Sequence, residues 1–310
     1  MSSKLKVGLA LGSGAARGWA HIGIIKQLDK LGITPDIVTG TSIGALVGAA
    51  YVANNLGKLN DWVLQLDKLK TAQYFAINPS LQGFVNKNRL RTFLNEYVVE
   101  QELEIENMQS CFATVATDLY SGREIWNTRG NMMDAVWSSM SLPGLFPAIK
   151  HNNRWLIDGG LVNPVPVSLC RAMGADVVIA VNLNSGIVGK HFRTDIDDVE
   201  PSITSESSKS WTGKVSHMVT DYTNNLFPKR REQKEEAPAL LDAIAASINI
   251  TQDRITRSRM AGDPPEIILN PRLSHIGILE FYRADEAIKE GIACVKRQQT
   301  ELSYYLSMDK

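Results

Sequence analysis

Short apolar runs separated by longer amphipathic stretches set the pattern of this chain. Residues 7–11, 36–39, 111–118 and 176–181 are almost continuous in Val, Ile, Leu, Ala, Thr and Gly. Runs of that length without polar alternation predict strands buried on both faces. Residues 154–157 and 266–270 predict two more. Residues 123–126, across the turn Leu119-Tyr120-Ser121-Gly122, predict a hairpin partner for the 111–118 strand. Helical spacing fills the intervals. Trp19, Ile22, Ile25, Leu28 and Leu31 predict a helix over about 19–31, closed by Gly32. Residues 60–107 read as mostly helical, with Leu90, Phe93, Leu94 and Tyr97 on one face of a helix over 88–99 and Asn88 as its N-cap. Further helices are predicted over 132–140, 167–173, 239–259 and 282–299, the last with Ala287, Ile288, Ile292 and Val295 inward.

Strands alternating with helices, without an internal repeat, predict one α/β sheet rather than two domains. Residues 1–183 form the expected core, and 238–310 complete it. Between them, 184–237 is rich in Ser, Thr, Asp, Lys and Glu, with a mixed charge run over 229–236. A solvated, mobile insertion is the expectation there. Trp211, Val215, Met218, Leu226 and Phe227 leave open an amphipathic flap or lid. The apolar stretch 74–79 reads equally well as the lining of an acyl pocket or as a buried connection.

Composition removes several functions. In 310 residues, 33 Lys and Arg balance 33 Asp and Glu, so no global field favours nucleic acid. Cys111, Cys170 and Cys294 are far apart, without metal-ligand spacing, and fit idle thiols in a reducing compartment. The apolar run after Lys6 is too short for a signal peptide, and no stretch is long enough to span a bilayer. The expectation is a cytoplasmic protein, at most peripheral on the inner face of a membrane, with no metal and no cofactor.

The chemistry concentrates at two glycine-rich turns. Gly40-Thr41-Ser42-Ile43-Gly44, between a buried strand and an Ala/Gly/Val-rich helix, fits the G-x-S-x-G nucleophile elbow. A strained strand-to-helix turn points the serine hydroxyl outward, and Gly40 and Gly44 let backbone pass close by. The loop Gly12-Ser13-Gly14-Ala15-Ala16-Arg17-Gly18 follows the first strand. A dinucleotide cradle would need G-x-G-x-x-G and an acidic residue ending the next strand. The chain has neither, so the loop reads as an oxyanion hole, with Gly14 and Ala15 as leading N–H donors and Arg17 bracing the loop, meeting a phosphate or simply exposed. His21, in the first helical turn, reads as a packed histidine. A serine needs a base. After Ser42 come His151, His191, His217 and His275, none in a glycine-rich strand-end turn. Asp158-Gly159-Gly160 is such a turn, so a Ser42–Asp158 dyad is preferred, and His275 is the one histidine worth testing as a third member.

Together these motifs resemble the patatin-like phospholipases, in the bacterial RssA-like and neuropathy-target-esterase-like branch. The resemblance runs from Val7 to about Asp176 and resumes weakly over 266–291. It rests on the loop Gly12 to Gly18, on Gly40-x-Ser42-x-Gly44, on the 139–147 block ending Pro143-Gly144-Leu145-Phe146-Pro147, and on Asp158-Gly159-Gly160. It implies a three-layer α/β/α patatin-like fold around a mostly parallel sheet, and metal-free hydrolysis of lipid acyl esters. Ser42 would be the nucleophile and Asp158 the base, with Gly159 and Gly160 supporting the dyad. One departure stands out: close relatives carry four consecutive glycines where this chain has Gly12-Ser13-Gly14-Ala15. The alternative function is a lipid-binding or regulatory protein of the same fold with little turnover.

Overall fold

The computed structural model describes residues 5–75, 87–143, 145–187 and 240–306. Among the described residues an eight-stranded sheet runs β5-β6-β3-β2-β1-β7-β8, with β4 also on β3. The strands are β1 (Val7–Leu11), β2 (Ile37–Thr41), β3 (Cys111–Asp118), β4 (Glu124–Asn127), β5 (Ile149–His151), β6 (Arg154–Asp158), β7 (Val177–Val181) and β8 (Ile267–Leu269). Neighbours from β3 through β2, β1 and β7 to β8 are parallel, whereas β4 and β6 lie antiparallel to β3, and β5 to β6. The apolar runs become the central strands because both faces are covered. Leu9, Leu11, Val38, Ile179 and Val181 pack into one core, and the alternate residues Ala10, Ile37, Val178 and Ala180 into a second.

The larger layer holds α1 (Ala20–Lys30), α2 (Ile43–Val52), α3 (Leu56–Val63), α4 (Lys68–Phe75), α5 (Lys87–Phe93), α6 (Met132–Met140) and, at the end of the described chain, α9 (Ala284–Arg297) and α10 (Gln299–Leu306). α7 (Val167–Ala172) and the end of α8 (Leu240–Gly262) pack on the opposite face, giving three layers. Several expectations shift. The first helix is preceded by a 3-10 turn over Ala15–Trp19 and becomes α-helical only at Ala20. Asn88 is no N-cap: α5 already starts at Lys87, and the Asn88 carbonyl accepts from Thr92 Oγ1 at 3.0 Å. The 88–99 helix changes to a π-helical turn over Leu94–Val98 and ends at the extended Val99.

The polar stretch read over 184–237 falls outside the described residues from residue 188 on, as does 76–79 of the apolar stretch. Asn184, at the start of the former, is buried in the core domain rather than solvated.

Candidate active site

The elbow is built by geometry only its sequence permits. Ser42 sits between β2 and α2 at φ 57°, ψ −123°, a conformation costly for a residue with a side chain. Its neighbours hold it there. Ala45 and Leu46 donate their N–H groups to the Ser42 carbonyl at 2.9 and 3.2 Å, and the Ser42 N–H donates to Ser139 Oγ at 2.9 Å. A Cβ at Gly44 would strike the Leu11 carbonyl, and one at Gly40 would lie 2.5 Å from Ala45 backbone, so α2 rests directly on the sheet.

Asp158 ends β6, in register with Ala116, beside the strand that precedes Ser42. Ser42 Oγ donates to Asp158 Oδ2 at 2.5 Å, and the Gly160 N–H donates to Oδ1 at 2.7 Å. The backbone is clamped on both sides: the Asp158 N–H donates to the Ser141 carbonyl, and Thr117 Oγ1 donates to the Asp158 carbonyl at 2.8 Å. Gly159 touches Val115 backbone so closely that no Cβ would fit, and Gly160 faces Gln252. Asp158 is 1% exposed. Burial pushes its pKa up to about 6, with the bonds from Ser42 and Gly160 pulling the other way.

The loop after β1 is less uniform than its sequence. The N–H groups of Gly12 and Ser13 donate to the carbonyls of Val181 and Pro164, at 3.1 and 2.8 Å, and that of Arg17 to Gly14 at 3.2 Å. They are spent on structure and offer nothing to an oxyanion. The N–H groups of Gly14 and Ala15 have no acceptor among the described residues. Ala15 holds φ 48°, the left-handed region that glycine enters more easily. Gly18 lies against the Ile43 side chain and leaves no room for a Cβ, which ties the loop to the elbow. Arg17 braces the loop from inside: it is 1% exposed, with Nε donating to the Gly14 carbonyl at 3.2 Å and Nη2 to Asn249 Oδ1 at 2.8 Å. Burial lowers its pKa to about 10, so it stays charged near neutrality.

Sequence reasoning missed the contribution of α8. Ser13 Oγ donates to Gln252 Oε1 at 3.0 Å, and Asn184 Nδ2 donates to the same oxygen at 2.9 Å. Arg259 binds the Val162 carbonyl and Glu124, and Glu124 accepts from Asn163 next to the Asp158 turn. The spacing of Asn249, Gln252 and Thr256 at three and four residues was the available signal, since all three are buried on one helix face.

His21 and His275 stay out of the chemistry, and His191 and His217 lie outside the described residues. His21 is fully buried with Nε2 against the Gly12 carbonyl at 2.8 Å, and burial lowers its pKa to about 4. The triad reading of His275 is corrected: its Nε2 pairs with Glu286 Oε1 at 2.5 Å at an exposed site on α9, while Ser42 Oγ is taken by Asp158. Among the described residues no cluster of His, Cys, Asp or Glu is arranged to hold a metal.

Above Ser42 lies a pocket of about 480 Å³, its open mouth included. Ala15, Trp19, Ile43, Leu46, Leu90, Phe93, Met140, Leu142, Leu145, Phe146 and Phe281 line it, with Ser42 the sole hydroxyl among the described residues. Such a lining suits an alkyl chain.

A serine on a strained turn at the carboxyl end of a mostly parallel sheet, below an apolar pocket, is the layout of a serine esterase for apolar acyl groups. The family model described as patatin-like phospholipase matches residues 9–171, a little over half of the chain. The chain belongs to this family, and as such is a lipid ester hydrolase. It is similar to the uncharacterised NTE family protein Rv1063c of Mycobacterium tuberculosis, 27% identical across 94% of this chain and 91% of the relative. It is also similar to lysophospholipase nte1 of Aspergillus fumigatus, 28% identical over 94% of this chain but only 18% of that much longer protein. Lysophospholipase NTE1 of Pyricularia oryzae is 29% identical over 92% of this chain and 18% of its own length. The crystal structure of VipD from Legionella pneumophila gives a TM-score of 0.45 at 11% identity, covering 95% of this chain and 66% of VipD. Among the described residues no helix is long and apolar enough to cross a membrane.

Proposed function

We propose that the chain hydrolyses acyl esters of lipids, in the manner of a lysophospholipase, through a Ser42–Asp158 dyad. The observation that carries this reading is the 2.5 Å contact between the Ser42 hydroxyl and the buried Asp158 carboxylate. Ser42 Oγ attacks the ester carbonyl while Asp158 takes its proton. The N–H groups of Gly14 and Ala15 receive the negative charge on the former carbonyl oxygen. Collapse breaks the ester C–O bond, and Asp158 returns the proton to the departing alcohol. Asp158 then deprotonates a water that attacks the acyl-enzyme, and Ser42 leaves as the alcohol with that proton. A carboxylate with a pKa near 6 is a better base than an ordinary one and is still ionised at neutral pH.

The test is hydrolysis of short-chain nitrophenyl esters and of lysophospholipids, with labelling by a fluorophosphonate probe. Ser42→Ala is expected to lose both turnover and labelling while the protein stays folded. Full hydrolysis by that variant would refute the reading. The strained Ala15 in the oxyanion loop favours a second reading, a lipid binder with little turnover. It predicts lysolipid binding with no labelling of the intact wild-type protein.

A further inference from the structure

We propose that the β3–β4 turn and the neighbouring β6 strand form the surface by which this protein docks on an anionic lipid bilayer. Four large apolar side chains stand in water on this part of the molecule: Tyr120 is 82% exposed, Leu119 46%, Trp126 44% and Trp155 39%. They are not scattered. The Leu119 N–H donates to the Trp155 carbonyl at 2.8 Å, which joins the turn to the start of β6. Asp118 Oδ1 accepts from the N–H groups of Tyr120 and Ser121, at 3.0 Å each, and holds the turn in one shape. A rigid tip loses little conformational entropy on insertion.

Charge and position select a lipid surface over another occupant. Exposed Arg123 and Lys150 border the aromatic tip, and Lys150 lies directly across β5–β6 from Trp155. Arg154, with its side chain 56% exposed, stands beside them but faces Asp118 Oδ2 at 3.9 Å, so Arg123 and Lys150 carry the positive charge of the tip. Trp and Tyr next to basic residues are the composition of a membrane–water interface. β3 runs parallel to β2, so the turn leaves the sheet at the end where the elbow follows β2. Asp158 is level with Ala116, and the tip begins three residues further on, about 10 Å along a strand. Insertion of an interfacial element reaches ~5–10 Å into the headgroup region. A docked tip therefore holds the Ser42–Asp158 pair close to the lipid headgroups. The identity of the surface rests on the lipid hydrolase reading.

The test is co-sedimentation of the full chain with vesicles of phosphatidylcholine alone or mixed with phosphatidylglycerol, alongside turnover of a soluble short-chain ester. Wild type is expected to bind the anionic vesicles, less so as salt is raised. R123Q/K150Q is expected to lose about fivefold in vesicle partition per residue removed, roughly 25-fold for the pair. Tyr120→Ser with Trp155→Ser is expected to lose at least ~10-fold. Soluble-ester turnover should stay within about twofold in both variants, since neither touches the dyad, the loop or the pocket. Wild type that ignores anionic vesicles, or variants that bind them undiminished, would overturn the proposal. So would a wild-type dimer in solution that Y120S/W155S converts to monomer, because the tip would then be a protein interface. Loss of soluble-ester turnover in wild type would count against the hydrolase reading alone, since vesicle binding needs no turnover.

Discussion

Replacing Asp158 by asparagine is expected to abolish catalysis and at the same time make the protein more stable. The carboxylate lies in the interior at 1% exposure, and burial raises its pKa from 3.8 to about 6. A carboxyl so displaced is disfavoured as an anion by roughly 3 kcal/mol. Because the folded state binds this proton more tightly than the unfolded chain, stability falls as pH rises from about 4 to about 6, and the full penalty remains above that window. Asparagine has the same shape and no charge. Its carbonyl can accept from the Gly160 N–H, and its amide can donate to Ser42 Oγ, so both contacts of the carboxylate have a neutral counterpart. Asp158→Asn should then gain up to ~3 kcal/mol at pH 8, several degrees in Tm, and nothing at pH 4, where wild-type Asp158 is itself neutral. Urea unfolding of both proteins at pH 4, 6 and 8 measures this directly. A variant less stable than wild type at pH 8, or a gain that does not vary with pH, would show that burial of the charge is not what sets the carboxyl's state.

Activity should report the same group from the other side: kcat/KM is expected to fall about tenfold per pH unit below about 6 and to level off above it, as an essential base of that pKa requires. Ala15→Gly should relieve a left-handed residue at φ 48° and gain ~0.5–1 kcal/mol in urea unfolding, after allowing for the added freedom of the unfolded chain. Gly44→Ala, whose Cβ meets the Leu11 carbonyl, should instead lose several degrees in a thermal melt. Gln252→Ala should lower kcat on a short-chain ester by on the order of tenfold with KM unchanged, because the loop that presents Gly14 and Ala15 loses its anchor at Ser13. Ser13→Ala should do the same, and the double variant no more than either alone; additive losses would show that the two side chains act separately.

The parts of this molecule legible in its sequence are those specified within a few residues of chain. The central strands appear as apolar runs because each is covered on both faces, and the elbow appears because Gly40 and Gly44 touch backbone that any side chain would displace. What stayed hidden depends on partners far along the chain. Asn249 and Gln252 look like the polar face of a solvated helix, yet their side chains bind Arg17 and Ser13, 232 and 239 residues away. Polar residues give no sign of whether water or protein completes their hydrogen bonds. His275 misled for the converse reason. It is a titratable residue after the last strand, but a surface carboxylate, Glu286, is near enough to take it. The same limit explains the loop after β1. Its glycine pattern singles out seven residues, but the carbonyls of Val181, Pro164 and Ile278, far along the chain, consume the N–H groups of Gly12, Ser13 and Ala16. Among the described residues Gly14 and Ala15 are left without acceptors, so which N–H groups the loop can offer is decided by what its neighbours take from it. A substitution at Pro164 or Val181 that displaces either carbonyl would alter the loop as directly as one within it.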